Sequence, residues 1–492
     1  MAAVAVLLLL SVAVRVPHLA SPLTEDHSFR QTQTAITVWT FVTEGIELVD
    51  YQTPVFGPPW RVPFEFPLFQ ATAALLVRVG VTNIDVACRI TNLFFFYLSA
   101  LLLYVVSRMH GMSPGAAACC VVAYVWLPFT IFWSRTSMID YASVAFALAY
   151  LYFVSAWVKR QRWIDLVVAV VAGCLLFLVK LTTAPVVAVA TAWVAWEALR
   201  PAGTGWLNTW RAHRHVAIGL AVAAVVPLAI GGIWTRYADG VRAAQPATQW
   251  LAANNLNAWT IGTWAQRATW DNWAVILDRL WESFLPMSYV VFPLAGIWRA
   301  IQSPRAGGAF VSSMALGALA TIVIFFNLFR VHNYYLMAVS PAVAVVAGFG
   351  LHWIIFERLT RDWLRWVVAA TVLVLWQWNA YSYTARAFSG SYDRDFYYQV
   401  GHAIADVTSP DERIVVEGND WSPDYLYYAQ RKGLMWRGSV VDMPPDSQAR
   451  LLASDNFTTI VCVNHRSAAA RFWAQHRLVR QIGAVTIYKV SK

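Results

Sequence analysis

The residues best suited to chemistry in this sequence are acids and bases that stand directly beside long apolar runs. The first apolar run is followed by a polar string, 24–34, that contains Asp26, His27 and Arg30. A carboxylate in this setting can accept a proton from a hydroxyl group while a neighbouring cation holds an anionic partner. The structural alternative is that a side chain of the string caps the following helix. We predict a general base at Asp26, with Glu25 as the open second choice.

A second carboxylate, Glu65, stands in the apolar segment 62–67. A charge among apolar residues beside a membrane needs a partner or a substrate. The structural alternative is a solvated acid that complements the dipole of the helix starting after it. We predict that Glu65 is a catalytic residue of the same site as Asp26.

Further charged and aromatic residues lie at short polar breaks between the apolar runs. Cations there can hold a phosphate, and a carboxylate can orient a sugar. An ion pair between Arg135 and Asp140, snorkelling of Lys180, or interface aromatics would explain the same positions without a function. Because polar groups at the edge of a membrane's apolar layer are costly unless they line a cavity, we predict that these residues share one pocket. The predicted donor-binding residues are His27, Arg30, Arg135, Asp140, Lys180, Arg330, His332, Tyr334 and Tyr335.

The composition places these residues in a membrane protein. Of the 492 residues, 59% are hydrophobic and only 13% are charged, whereas a soluble globular chain carries about 25% charged residues. The formal net charge of +10 is interpreted as loop charge that sets topology, and no nucleic-acid partner is expected. Four of the five cysteines lie inside apolar runs, so no disulfide framework or CxxC metal site is predicted.

Eleven apolar stretches are long enough to be membrane helices. A twelfth, Phe66–Val81, is shorter and contains Arg78, which favours a helix lying in the interface. If that segment does not span, the short connectors on one side collect most of the Lys and Arg residues, as cytoplasmic loops do. The predicted N terminus is therefore cytoplasmic and the C terminus extracytoplasmic. The predicted spans are residues 2–18, 87–107, 114–133, 141–158, 163–179, 183–199, 215–234, 286–302, 309–328, 335–356 and 365–382.

This topology divides the chain into two predicted domains. Residues 1–382 form the membrane domain, with two long outer loops: 19–86, which contains interfacial helices, and 235–285, which is rich in tryptophan. Residues 383–492 contain three β-branched runs with helical stretches between them, which predicts a small extracytoplasmic α/β domain. The three runs are 413–420, 459–464 and 484–490.

The order of these motifs resembles that of the GT-C glycosyltransferases, over about residues 1–360. The likeness is nearest to the bacterial branch related to protein mannosyltransferases and the lipid A aminoarabinose transferase. The motifs are Asp26 after the first helix, Glu65-Phe66-Pro67 before an interfacial helix, Ser134-Arg135 with Asp140, and His332-Asn333-Tyr334-Tyr335 followed by Pro341. One departure is Glu25-Asp26-His27 in place of the Asp-Glu pair that is frequent in these enzymes.

The resemblance implies an inverting glycosyltransferase of the bacterial inner (plasma) membrane. Such an enzyme moves a sugar from a polyprenyl-phosphate carrier to a glycan, lipid or protein acceptor on the outer face. The resemblance also places Asp26, Glu65 and Asp140 at the acidic positions of the family. No cofactor is assigned, although a divalent cation, Mg²⁺ or Mn²⁺, between Asp26 and Asp140 stays open. The alternative class is a transporter or flippase for a lipid-linked or sugar substrate, which needs charged or helix-breaking residues near the middle of the membrane.

The topology is the first testable prediction. Single cysteines introduced at Ala202 and Ser422 are expected to react with a membrane-impermeant thiol reagent from opposite sides of intact cells, with Ser422→Cys accessible from outside. Labelling of both positions from the same side would contradict the eleven-span arrangement.

Overall fold

A computed structural model describes residues 2–200, 206–284, 289–389, 391–437, 453, 457–463 and 475–491. Within these ranges, five helical segments are long and apolar enough to cross a membrane, and four shorter apolar helices accompany them. The five are Ile84–Met109, Asp140–Arg160, Trp163–Leu199, His213–Ala244 and Asn333–Arg358. The four are Val4–Ala13, Leu68–Arg78, Pro114–Trp126 and Gly308–Ile324.

The α-helices are numbered here in chain order. They are α1 Ala2–Ala13, α2 Ser28–Thr43, α3 Leu68–Arg78, α4 Ile84–Met109, α5 Pro114–Trp126, α6 Pro128–Trp133, α7 Asp140–Arg160, α8 Trp163–Lys180, α9 Ala184–Leu199, α10 Trp206–Ala244, α11 Ala253–Ile261, α12 Trp264–Ala268, α13 Trp270–Phe284, α14 Val291–Gln302, α15 Gly308–Ile324, α16 Phe326–Val331, α17 Leu336–His352, α18 Asp362–Ser389, α19 Ser391–Asp406 and α20 Asp424–Ala429.

Several predicted spans are interrupted. The run 114–133 is divided into α5 and α6 at Leu127, because the following Pro128 disfavours a helical residue before it and donates no backbone hydrogen bond. The run 309–328 is divided into α15 and α16 at Phe325. The first helix ends at Ala13, and residues 286–288 of another predicted span lie outside the described residues. The count of eleven spans therefore stays a prediction.

The segment Trp163–Leu199 contains two helices that run in opposite directions. The backbone at Lys180 is extended, with φ −164°, and separates α8 from α9. A Cβ atom on Gly173 would lie 2.6 Å from Pro227, and one on Gly231 would lie 2.8 Å from Phe177. These contacts advance in the same direction along both helices, so α8 and α10 run parallel. The helix between them in the sequence, α9, must therefore run in the opposite direction.

The C-terminal segment forms a five-stranded sheet with the strand order β2-β1-β3-β5-β4. Strands β1, β2 and β3 are parallel, and β5 is antiparallel to both β3 and β4. The three strands expected from the sequence are β1, β3 and β5. The short β2 and the solvent-facing β4 were not predicted. The strands are β1 Arg413–Glu417, β2 Gly433–Trp436, β3 Phe457–Val463, β4 Arg477–Ile482 and β5 Val485–Lys489.

The first outer loop and the C-terminal segment pack together. The Gly433 amide donates to the Pro54 carbonyl at 3.0 Å, so the loop extends the sheet beside β2. Thr32 of α2 donates to Asp424 of α20 at 3.1 Å. The Tyr427 hydroxyl, also on α20, donates to the carboxylate of Asp85. Buried residues of both parts belong to one continuous apolar core. The boundary at residue 383 lies inside α18 and stays a prediction.

A buried ion pair fixes the start of the first outer loop. Arg89 of α4 donates to Glu25 at 2.7 Å, and the two side chains are 0% and 7% exposed. Arg89 also donates to the Leu19, Ser21 and Pro22 carbonyls. The residue that precedes α2 is His27, and no side chain caps this helix. The structural alternative, in which a side chain of the 24–34 string caps α2, is therefore wrong. Glu25 is held away from solvent by Arg89.

The second prediction concerns this ion pair. Glu25→Gln removes the carboxylate that binds buried Arg89 and leaves only the electrostatic attraction of Asp85 to oppose its charge, and we expect it to destabilise the fold by up to roughly 3–5 kcal/mol. The measurement is thermal unfolding of the purified protein in detergent. The matched control is Asp406→Asn, which removes one partner of an exposed pair with Arg480 and should change stability by less than about 1 kcal/mol. Equal stability of both variants would show that the buried pair does not fix the loop.

Candidate active site

Asp26 lies where the first outer loop meets the turn before α17. Asn333 donates from Nδ2 to Asp26 Oδ2 at 3.2 Å, and its Oδ1 lies 2.8 Å from His27 Nε2. His27 has a left-handed backbone, with φ 54°, which turns the chain sharply before α2. A single amide therefore positions both the acid and the imidazole, across a sequence separation of 306 residues.

Arg30 and Glu65 form a second element of the site. Arg30 donates to the Glu65 carboxylate and, at 2.6 Å, to Gln33 Oε1. The Tyr51 hydroxyl donates to the backbone carbonyl of Glu65 at 2.7 Å, which fixes the segment before α3. Burial by itself raises the pKa of Glu65, but the charges of Arg30 and Lys180 outweigh it and hold that pKa below its ordinary value. Glu65 is thus an ionised partner of Arg30.

Asp140 and Lys180 form a third element, at the facing ends of α7 and α8. Lys180 Nζ lies 2.6 Å from Asp140 Oδ1, and the two side chains are 7% and 1% exposed. The same ammonium group lies 4.5 Å from the ring centre of Tyr335 and 5.1 Å from that of Tyr334. Lys180 therefore does not snorkel to solvent. The structural alternative that paired Asp140 with Arg135 is wrong, because Asp140 binds Lys180.

His332 lies among these elements. Its ring is 5.1 Å from those of both His27 and Tyr334. Burial, followed by the charges of His27, Arg279, Lys180 and Arg30, lowers the pKa of His332 to about 3. Burial likewise lowers the pKa of His27. Both imidazoles are neutral at physiological pH and can serve as hydrogen-bonding groups rather than as cations.

The two remaining predicted cations have other partners. Arg135 donates to the Pro17 carbonyl, at the end of the turn that follows α1. Arg330 donates to Asn327 Oδ1 at 2.8 Å and to Asn272 Oδ1 at 3.3 Å. Their role in donor binding stays a prediction.

Arg279 on α13 is a site residue that the sequence analysis missed. It donates to the Phe329 and Val331 carbonyls, both at 3.0 Å, and so holds the chain just before Asn333. Burial and the charge of Arg330 lower the pKa of Arg279, and the charge of Asp26 opposes them. The guanidinium is therefore close enough to Asp26 to interact with its carboxylate. The signal in the sequence was a basic residue on an amphipathic helix of the second loop.

An aromatic wall, defined here as Phe29, Phe56, Phe64, Trp250 and Trp421, borders the site. Trp421, from the loop after β1, is at its centre, with ring separations of 5.7–6.1 Å to the other four. Trp421 was also missed, because the sequence does not show that the C-terminal segment reaches α2. The wall joins the first loop, the second loop and the sheet.

The carboxylates present do not form a metal-binding set. Among the described residues there is no group of three or more His, Cys, Asp or Glu side chains placed to hold a metal ion. Asp140 binds Lys180, and Asp26 binds Asn333. We therefore assign no step to a divalent cation between Asp26 and Asp140.

Two crystal structures of ArnT from Cupriavidus metallidurans are similar to this chain over 99% of its length and 97% of theirs. The apo form has a TM-score of 0.62 at 13% sequence identity. The form bound to undecaprenyl phosphate has a TM-score of 0.65 at 15% identity. The chain has the GT-C fold. No protein-family model and no curated protein matches the sequence.

Two other GT-C structures agree with this assignment. The apo oligosaccharyltransferase from Archaeoglobus fulgidus has a TM-score of 0.57 at 12% identity, covering 93% of this chain and 69% of that one. The arabinofuranosyltransferase AftD from Mycobacteria has a TM-score of 0.52 at 16% identity, and the match covers 99% of this chain but 40% of AftD. The resemblance read from the motifs is confirmed for the fold.

The third prediction follows from the buried histidines. Since His332 has a pKa of about 3 in the folded protein and about 6.5 when unfolded, the unfolded state binds more protons below about pH 6.5. Folding stability should therefore fall as the pH drops from about 6.5 towards 3, by up to about 1.4 kcal/mol per pH unit for this group. His332→Phe should reduce that slope in thermal unfolding measured between about pH 7.5 and 4.5.

The control for this experiment is His402→Phe, which replaces an exposed histidine on α19. This variant should keep the pH slope of the unmodified protein. An unchanged slope in His332→Phe would show that His332 is protonated without cost in the folded state.

Proposed function

We propose that this protein is an inverting glycosyltransferase that uses a polyprenyl-phosphate sugar as donor. The observation that carries the proposal is the unequal pairing of the acids around His332. Glu65 and Asp140 each bind a buried cation, whereas Asp26 accepts its hydrogen bond from the Asn333 amide. Asp26 is therefore the carboxylate that is not neutralised by a direct ion pair in the described contacts, which suits a general base.

The proposed reaction needs one proton acceptor and one anion site. The acceptor hydroxyl oxygen attacks the anomeric carbon of the donor sugar, and Asp26 takes the hydroxyl proton. The bond between the anomeric carbon and the phosphate oxygen breaks, and the polyprenyl phosphate leaves with the electron pair. Because attack and departure occur on opposite faces, the configuration at the anomeric carbon is inverted.

The departing phosphate is proposed to lie against Lys180 and Arg30. Each is a buried cation whose side chain has more donors than its carboxylate partner occupies, so it can also donate to phosphate oxygens. In this proposal Glu65 orients Arg30 and Asp140 orients Lys180. Support comes from the structural neighbours, which include ArnT bound to undecaprenyl phosphate and an oligosaccharyltransferase in complex with a dolichol-phosphate.

The proposed setting is the outer face of a bacterial inner membrane. The basic connectors support a topology in which Asp26, Lys180 and His332 lie at the extracytoplasmic ends of their helices. The acceptor is a glycan, a lipid or a protein. A transporter of the same lipid-linked sugar would move the donor intact, so a transfer assay separates the two classes.

The fourth prediction tests the base. Asp26→Asn keeps the size of the side chain and an oxygen that can accept from Asn333, but it removes the proton acceptor. We expect turnover to fall by roughly 10² to 10⁴-fold while donor affinity stays within about threefold. The measurement is transfer of radiolabelled sugar from a panel of synthetic polyprenyl-phosphate sugars to extracted cell-envelope acceptors.

Asp271→Asn is the matched control, because Asp271 is an exposed acid at the start of α13. This variant should keep the turnover of the unmodified protein. Normal turnover in Asp26→Asn would reject Asp26 as the base.

A further inference from the structure

A cleft open to solvent lies between the second outer loop and the sheet. Its volume is about 590 Å³, within the range of ligand-binding sites, about 300–1,000 Å³. The cleft has Pro246, Ala247 and Trp250 on one side, and Asp420 with the 434–437 strand end on the other. In open sheets, the carboxyl ends of parallel strands are the preferred place for ligands. Asp420 follows β1, and Arg437 follows β2, so the cleft is at such an edge.

Arg437 and Asp420 form a polar floor in this cleft, with side chains that are 47% and 58% exposed. Arg437 Nε lies 2.6 Å from Asp420 Oδ1, and its guanidinium carbon lies 3.8 Å from the ring centre of Trp250. The ion pair leaves the floor with no net charge. The terminal amino groups of Arg437 remain available as donors, and the carboxylate remains an acceptor.

Two further donors near this edge are buried without a hydrogen-bond partner among the described residues. They are the indole N–H of Trp436, a residue that lines the cleft, and the side-chain amide of Asn419, next to Asp420. A buried donor without a partner costs about 1–3 kcal/mol. Both atoms are inaccessible to solvent, so they lie beneath the surface of the cleft.

A series of aromatic rings connects the cleft to the candidate active site. Trp250 is 5.9 Å from Trp421, Trp421 is 5.7 Å from Phe29, and Phe29 is 6.0 Å from His332. Three consecutive ring-to-ring steps of about 6 Å therefore separate Trp250, which lines the cleft, from His332 in the candidate active site. A ligand that occupied both places would be an extended chain.

We propose that this cleft binds a neutral oligosaccharide, as the part of the acceptor chain that lies away from the hydroxyl receiving the sugar. A sugar ring has an apolar C–H face that suits the accessible part of Trp250, and a rim of hydroxyls that both donate and accept. The balanced ion pair disfavours a phosphorylated ligand, and the opening to solvent disfavours a lipid tail. This inference rests on the proposed glycosyl transfer and names the class of its acceptor.

The test is retention of the purified full-length protein, in detergent and without donor, on an array of neutral oligosaccharides built from hexoses, pentoses and N-acetylated amino sugars. The unmodified protein should be retained by at least one class. Trp250→Ala and Asp420→Asn should weaken that retention by about tenfold or more, the loss expected for a stacked ring or a charge-assisted hydrogen bond.

The matched control is Trp264→Ala, which removes an 86% exposed tryptophan of the same loop that does not line the cleft. This variant should keep normal retention. Retention on no saccharide overturns the proposal, as does retention that survives both Trp250→Ala and Asp420→Asn.

The two proposals fail separately in these experiments. Since the array contains no donor, Asp26→Asn should be retained like the unmodified protein. Normal saccharide retention without transfer from any polyprenyl-phosphate sugar would reject the proposed enzymatic activity. It would not contradict the proposal that the cleft binds an oligosaccharide. Sugar transfer by a protein that no oligosaccharide retains would reject the cleft alone.

Discussion

The structure depends on pairing charges that the fold takes out of water. A lone buried charge costs several kcal/mol, so a charged side chain packs only when it meets a counterion or, like Arg15, several hydrogen-bond acceptors. Two buried pairs and one partly exposed pair each join segments that are separate in the sequence. The pairs are Glu25–Arg89, Arg30–Glu65 and Asp140–Lys180. The first pair ties the start of the first outer loop to α4, the second joins two parts of that loop, and the third joins α7 to α8.

In the proposed mechanism, the same pairing determines which acid can accept a proton and which cations can bind an anion. An acid bound to a buried cation is a poor proton acceptor, because the cation stabilises the ionised form. Glu65 is in that position, because the charges of Arg30 and Lys180 lower its pKa. Glu25 and Asp140 also bind cations directly, whereas Asp26 accepts from Asn333. The cations keep donors that their carboxylates do not fill. In the proposed mechanism, one set of contacts therefore supplies both the base, Asp26, and the anion site, Lys180 with Arg30.

Much of the site followed from the sequence, because a polar group at the end of an apolar helix has few stable positions. The expectation that Asp26, His27, His332 and Tyr334 share one place agrees with their contacts. The sequence does not show which partner each charged side chain reaches in the fold. Arg135 and Lys180 were both predicted to bind the donor because each stands at the end of an apolar run, but the Arg135 guanidinium donates to the Pro17 carbonyl. Arg279, Asn333 and Trp421 were missed because their roles arise from contacts between distant segments.

The central claim is that the phosphate of the donor lies between Lys180 and Arg30, with the sugar facing Asp26. The most direct measurement is an experimental structure of the full-length protein bound to a short-chain polyprenyl phosphate. The account predicts phosphate oxygens within about 3 Å of Lys180 Nζ and of an Arg30 amino group. A phosphate bound elsewhere, with both of those side chains facing only their carboxylate partners, would contradict it.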